Sequence, residues 1–218
     1  FDTNLNTQTT NLTKGFDAVC VFVNDKLNAK VINKLANNQV RHIALRCAGF
    51  NNVDLEAAEN QNIKVTRVPA YSPQAVAEHA LSLILTLNRK THKAYNRIKE
   101  GNFSLNGLIG FDLHNKTIGV IGTGKIGVAF CKIMLGLGCK VMAYDVNPQD
   151  SLIKDGVSYV SLDDLYKKSD VISLHCPLLP ATEHIVNEKS IAKMKNEVMI
   201  INTSRGRLID TDAVIKNL

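Results

Sequence analysis

The 218-residue sequence predicts an α/β protein built from two doubly wound parallel sheets. Three observations carry that expectation. Apolar runs of strand length alternate with helical patterns along the chain, the signature of parallel strands joined by crossover helices. A glycine-rich turn, Gly122-Thr123-Gly124-Lys125-Ile126-Gly127, stands between one such strand and helix. The series also restarts after Tyr71, so two α/β units meeting near that residue are the simplest partition.

In the first unit, Asp17 to Val23 reads as a buried strand, Ala29 to Ala36 as a short helix with Val31, Ile32 and Leu35 inward, and His42 to Leu45 as a second strand. Leu55 to Glu59 is a helical turn, and Ile63 to Arg67 a third strand, closed by Pro69, which offers no ladder donor. Residues 1–15, rich in Thr and Asn, give no periodic signal. Ser72-Pro73 supplies an N-cap and a first-turn proline, and the pattern from Gln74 to about Lys99 predicts one long helix, apolar nearly all round between Ala80 and Leu87. After a glycine-bearing passage come strand Thr117 to Ile121, helix Lys125 to Leu137 and strand Lys140 to Tyr144. Further strands are expected at Val157 to Val160, Asp170 to Leu174 and Val198 to Asn202.

Composition narrows the classes. Hydrophobic residues are 45% and charged residues 21%, the usage of a globular protein with a sizeable core, which excludes disordered and collagen-like chains. The longest apolar run, Ala80 to Leu87, is interrupted by Ser82 and Thr86 and is far short of the roughly 20 residues a bilayer requires. The five cysteines form no Cys-x-x-Cys pair, which points to a reducing, cytoplasmic setting without a metal site. The formal charge is +6, and the densest basic run spans Arg89 to Lys99. No nucleic-acid motif accompanies it, so it reads as a solvated helix face.

The glycine turn is the sharpest motif. Gly122 makes the tight turn, Gly124 lets backbone N–H groups approach a pyrophosphate at the positive helix end, and Gly127 allows close helix–strand packing. Asp145, 18 residues past Gly127 at the end of the next strand, can accept both adenosine-ribose hydroxyls. Val146-Asn147-Pro148 brings no Arg for a 2′-phosphate, so NAD is favoured over NADP. Arg205, in Thr203-Ser204-Arg205-Gly206, follows a strand on the carboxyl edge, where such sheets bind ligands. An Arg after a strand is more often in a surface ion pair, but in a nucleotide-binding frame its fork suits a carboxylate. The turn Arg46 to Asn52 could aim backbone N–H groups at an anion, and Tyr71 could offer a phenol at the junction of the units. Each could equally be an ordinary turn or a packed ring. The histidines show no metal-ligand spacing, and His175, at a strand's carboxyl end, is the only one placed near the cleft.

Together, Arg46-Cys47-Ala48-Gly49-Phe50-Asn51-Asn52-Val53-Asp54, Val68 to Pro73, Gly122 to Gly127, His175-Cys176-Pro177 and Asn202 to Gly206 resemble, in order and spacing, the D-isomer-specific 2-hydroxyacid dehydrogenases. The resemblance covers the chain from about Phe16 onward. It implies a flavodoxin-like substrate (catalytic) domain whose N-terminal part is residues 1–70, and a Rossmann NAD-binding domain, residues 71–218, incomplete at its C-terminus. It further implies a cleft between the domains and a homo-oligomer, dimer or larger. Arg205 would be the catalytic arginine, with Ala48, Gly49 and Tyr71 holding the substrate. Gly122, Gly124, Lys125, Ile126, Gly127, Asp145, Cys176, Pro177, Thr182, Thr203, Ser204 and Arg205 would line the NAD path.

The implied reaction is reversible hydride transfer between NADH and a small 2-oxo acid, pyruvate giving D-lactate. Another D-2-hydroxy acid, such as a phosphoglycerate or a branched-chain hydroxy acid, and a non-enzymatic NAD-sensing corepressor-like protein remain alternatives. The family's histidine–glutamate acid/base pair lies well beyond its arginine, whereas this sequence stops thirteen residues after Arg205. The span is therefore expected to be a truncated piece of a longer enzyme, inactive by itself.

Overall fold

The computed structural model describes all residues 1–218, which divide into two compact units, Phe1–Tyr71 and Ser72–Leu218.

The first unit holds β1 (Ala18–Val21), α1 (Ala29–Asn37), β2 (His42–Leu45), α2 (Leu55–Asn60) and β3 (Lys64–Arg67). The strands are parallel in the sequential order β1-β2-β3. Val31, Ile32 and Leu35 of α1 are fully buried against Val21, Ile43 and Leu45 of the sheet. Asn28 and Asp54 cap the two helices by accepting the N–H groups of Val31 and Ala57. Strand β1 is shorter than its apolar run. Asp25 accepts the N–H of Phe22 at 2.6 Å, which turns the chain there. The first 15 residues include a 3-10 turn, Thr10–Thr13, anchored from α1 by Asn38 Nδ2 donating to Thr10 O and Thr13 Oγ1.

The second unit opens with α3 (Pro73–Arg89) and α4 (Thr91–Lys99). Here the expectation of one continuous helix fails. Lys90 adopts the left-handed conformation, with φ of 51° and ψ of 36°, and splits it in two. The reason is tertiary. Buried Asn88 donates to Phe111 O at 2.7 Å and accepts its N–H at 2.8 Å, while Lys90 Nζ donates to Gly107 O at 2.8 Å. These bonds hold the returning loop against the end of α3, where the helix breaks.

There follow β4 (Thr117–Ile121), α5 (Lys125–Gly136), β5 (Lys140–Tyr144), α6 (Asp150–Lys154), β6 (Ser158–Tyr159), α7 (Leu162–Lys168), β7 (Val171–Leu174), α8 (Glu188–Ile191), β8 (Met199–Asn202) and α9 (Thr211–Lys216). The short helices α6 to α9 carry no clear periodic signal in the sequence. All five strands are parallel, in the order β6-β5-β4-β7-β8. The winding runs outward from β4 through β5 to β6, then reverses to β7 and β8. The sheet is therefore doubly wound, with its switch point between β4 and β7.

Each face has its own core. On one, α3 and α5 pack together, and Ala77, Ala80, Ile84, Phe130 and Met134 cover Ile118, Val120, Val171 and Ile201. On the other, Leu165, Tyr166, Val186 and Leu208 cover Ile121, Ile172 and Leu174. Strands buried on both faces explain the unbroken apolar runs of β4 and β7. No helix is long and apolar enough to cross a membrane.

Candidate functional site

The carboxyl ends of β4, β5, β7 and β8 place most of the singled-out residues on one edge of the second unit. At the switch point, Gly122 N donates to Tyr144 O at 2.9 Å and His175 N to Ile121 O at 2.8 Å, which pins the end of β4 between β5 and β7. Gly122 has φ of +96°, and a Cβ there would stand 2.6 Å from Cys176 N and 2.7 Å from the carbonyl carbon of His175. Only glycine satisfies both the left-handed backbone and the close approach.

Helix α5 starts without a side-chain cap. By contrast, Asn28, Asp54, Ser72, Ser161, Asn187 and Asp210 each cap a helix of this protein. Its N-cap is Gly124, where an added Cβ would meet nothing within 4 Å. The N–H groups of the first turn, those of Lys125, Ile126 and Gly127, have no intrahelical partner and stand at the positive end of the helix dipole. That combination fits a pyrophosphate.

Asp145, just past β5, accepts the N–H of Thr123 at 2.6 Å through Oδ2 and that of Asn147 at 2.9 Å through Oδ1. Each oxygen keeps lone-pair capacity for a ribose hydroxyl. Tyr159 at the end of β6 donates to Thr123 Oγ1 at 2.9 Å, and Thr123 itself is buried. Neither residue was singled out in the sequence, and their 36-residue separation leaves no local signal.

Past β7, Cys176 is buried, and that burial, aided by the Asp145 carboxylate, pushes its thiol up to about 11. Pro177 O accepts from Thr182 Oγ1 at 2.6 Å, and the same oxygen of Thr182 accepts the N–H of Leu179. Thr182 thereby closes this loop. His175 follows the carboxyl end of β7 on this same edge, with its ring turned inward. Its ring is buried against Phe130, with centroids 4.8 Å apart, and its Nε2 lies 2.9 Å from Ser173 Oγ. Burial lowers its pKa to about 4, so the imidazole is neutral.

The turn after β8 is held by its own side chains. Asn202 donates to Arg205 O at 2.8 Å and accepts Ser204 N–H at 2.9 Å, while Ser204 Oγ donates to Leu174 O at 3.0 Å. Asn202 is a supporting residue that an Asn-Thr-Ser sequence after a strand could have flagged. Arg205 Nη1 donates to Ser204 O at 2.9 Å, and the guanidinium makes no ion pair among those of the protein. It is half-buried, with most of its fork uncommitted.

In the first unit, Ala48 and Gly49 follow the carboxyl end of β2. Arg67 Nη1 donates to Ala48 O at 2.8 Å, and Cys47 Sγ lies 3.2 Å from Gly49 O. The two carbonyls are thus occupied from within the unit, which sets the orientation of the turn. Tyr71, the last residue of that unit, is 69% exposed.

A doubly wound sheet with an uncapped glycine-started helix at its switch point and an acid at the end of the next strand defines a dinucleotide-binding protein. The comparisons make this specific. Residues 81–218 match the family model of the D-isomer specific 2-hydroxyacid dehydrogenase, NAD binding domain, and the chain belongs to that family. Its dinucleotide is therefore NAD.

Over its full length the chain is 53% identical to the D-lactate dehydrogenase of Escherichia coli strain K12, of which it covers 66%. The apo-structure of D-lactate dehydrogenase from Escherichia coli superposes with a TM-score of 0.91 at 53% identity, over 99% of this chain and 68% of that one. D-Lactate dehydrogenase from Aquifex aeolicus, complexed with NAD and lactic acid, gives 0.87 at 41% identity, over 95% and 62%. The chain spans just under two thirds of the length of the curated relatives it matches.

Proposed function

We propose that the protein containing this span is an NAD-dependent D-lactate dehydrogenase that reduces pyruvate, with residues 1–70 belonging to its substrate domain and 71–218 to its NAD-binding domain. The observation that carries the reading is Arg205, a half-buried guanidinium without an anionic partner, held on the cofactor edge by the Asn202 and Ser204 bonds. The relatives named D-lactate dehydrogenase support the substrate.

In this reading the first-turn N–H groups of α5 take the pyrophosphate and Asp145 the adenosine ribose. Cys176, Pro177, Thr182, Thr203 and Ser204 line the rest of the path. NAD, when bound, supplies the hydride acceptor and donor. Arg205 grips the substrate carboxylate with two charge-assisted bonds and polarises the adjacent ketone, an interaction that strengthens as charge builds on oxygen. Backbone N–H groups of the Ala48–Gly49 turn, with the Tyr71 phenol, are assigned to the same substrate. The proton for the forming alkoxide is assigned to a group outside these 218 residues, so the span alone is expected to bind NADH without turnover.

The test is the initial rate of NADH oxidation by the full-length gene product with saturating pyruvate and with a panel of other 2-oxo acids. Rapid turnover giving D-lactate is expected, with kcat/KM reduced about 10²–10³-fold in Arg205→Ala. Turnover confined to a bulkier 2-oxo acid, or kinetics unchanged in Arg205→Ala, would overturn the substrate or the arginine assignment respectively.

A further inference from the structure

Two buried side-chain polar atoms of the protein have no hydrogen-bond partner, His175 Nδ1 and Thr203 Oγ1. Buried polar groups are paired in the great majority of cases, so each such atom requires a cause. The two are not scattered. Leu174 at the end of β7 pairs with Asn202 at the end of β8, so His175 and Thr203 are the next residues out on neighbouring strands. The bond from Ser204 Oγ to Leu174 O joins the same two strand ends.

Each residue supports a different half of the edge. His175 is wedged beneath the glycine loop, with its N–H on Ile121 O, its carbonyl carbon against Gly122 and its ring on Phe130 of α5. Thr203 begins the turn that presents Arg205. A neutral imidazole has one donor and one acceptor nitrogen. With the proton on Nε2 and donated to Ser173 Oγ, Nδ1 is an acceptor, and a threonine hydroxyl is a donor of matching kind.

We propose that His175 and Thr203 are positioning residues whose side chains pair when the dinucleotide binds, Thr203 Oγ1–H donating to His175 Nδ1, and so couple the pyrophosphate loop to the arginine turn. The inference rests on the NAD-binding role of this edge. One χ1 step moves the Thr203 hydroxyl between staggered positions without displacing the backbone. A ligand that touches both the loop and the turn favours the state in which the two are tied.

The experiment uses the full-length gene product with ¹⁵N-labelled histidine, titrated with NADH. NADH is expected to move the His175 Nδ1 resonance toward that of a hydrogen-bonded acceptor while Nε2 stays protonated. Thr203→Val should abolish that movement and Thr203→Ser restore it. In NADH affinity, Thr203→Val and His175→Phe should each weaken binding about tenfold and the double variant no further, the non-additivity of one shared interaction. His175→Asn, which keeps an acceptor at the δ position, should recover most of the loss.

Losses that multiply in the double variant, or a resonance shift that survives Thr203→Val, overturn the link. If His175→Phe does not fold, the Thr203 series read by the resonance decides alone. Wild-type protein that takes up no NADH overturns the cofactor role of the edge and the link with it, whereas uptake with an unmoved resonance overturns the link only.

Discussion

Replacing Asp145 by Asn removes one charge and almost no volume, which makes it the sharpest probe of the cofactor edge. The carboxylate accepts two backbone N–H groups, Thr123 at 2.6 Å and Asn147 at 2.9 Å, one on each oxygen. An amide can offer its oxygen to only one of them and must turn its NH₂ toward the other. A hydrogen bond to a charged group contributes about 1.5–3 kcal/mol, so the ligand-free variant should lose about that much stability. The same carboxylate is proposed to accept the ribose hydroxyls, and a comparable loss there weakens NADH by roughly 10–100-fold at about 1.4 kcal/mol per decade. NADPH should respond in the opposite sense. A 2′-phosphate near Asp145 meets a like charge, a repulsion of about 4 kcal/mol at 4 Å and an effective dielectric of 20, which the amide removes. The assay is titration of nicotinamide fluorescence with both cofactors, alongside thermal melts that separate folding from binding. Wild type should prefer NADH strongly and Asp145→Asn should bring the two near parity. Wild type that binds NADPH within threefold of NADH, or a variant whose preference is unchanged, would refute the assignment.

Two further outcomes are expected. Burial depresses His175 from 6.5 to about 4, so between those values the unfolded chain takes up a proton that the folded one refuses. Its contribution to stability is complete above pH 6.5 and falls as pH drops toward 4, by about 3 kcal/mol at roughly 1.4 kcal/mol per unit. Denaturant unfolding at pH 7.5 and pH 4.5 should show His175→Asn losing less of its stability than wild type, and parallel losses would refute this. The loop after α4 exposes Phe103, Leu105 and Ile109 at 77–85%, apolar side chains expected to be covered in a homo-oligomer. Sedimentation of the full-length gene product should give a dimer or larger, and Leu105→Asp with Ile109→Asp should shift it toward monomer; a monomeric wild type would end that expectation.

What could be read from the sequence was local. β4, the glycine turn, α5 and Asp145 are joined by contacts within about one βαβ unit, and turn chemistry and spacing therefore disclose them. The break at Lys90 has no such mark. The stretch Asn88-Arg89-Lys90-Thr91 contains neither Gly nor Pro, and what accompanies the break is a distant contact, Asn88 bonding to Phe111, 23 residues on. Helices α6 to α9 are only four to seven residues long, too short to express a 3.6 period, although Ser161, Asn187 and Asp210 cap three of them. A strand-end position places His175 near the cleft, but it does not specify that the ring turns to Phe130.

The cofactor edge relies on backbone groups for contact and on side chains for aim. N–H groups at the start of α5 have no intrahelical partner, while Tyr159, Asn202 and Ser204 direct their hydrogen bonds to other loop and strand-end groups. Substitutions at these supporting positions should therefore degrade orientation rather than remove a contact, and such effects couple to one another because the strand ends share partners. Ser204 illustrates the point. Its hydroxyl ties the arginine turn to Leu174, one residue before His175, so a change there reaches both Arg205 and the glycine loop although its hydroxyl is spent on a backbone carbonyl. An edge built this way tolerates variation in side chains that touch only solvent and resists it in the few that hold two loops together.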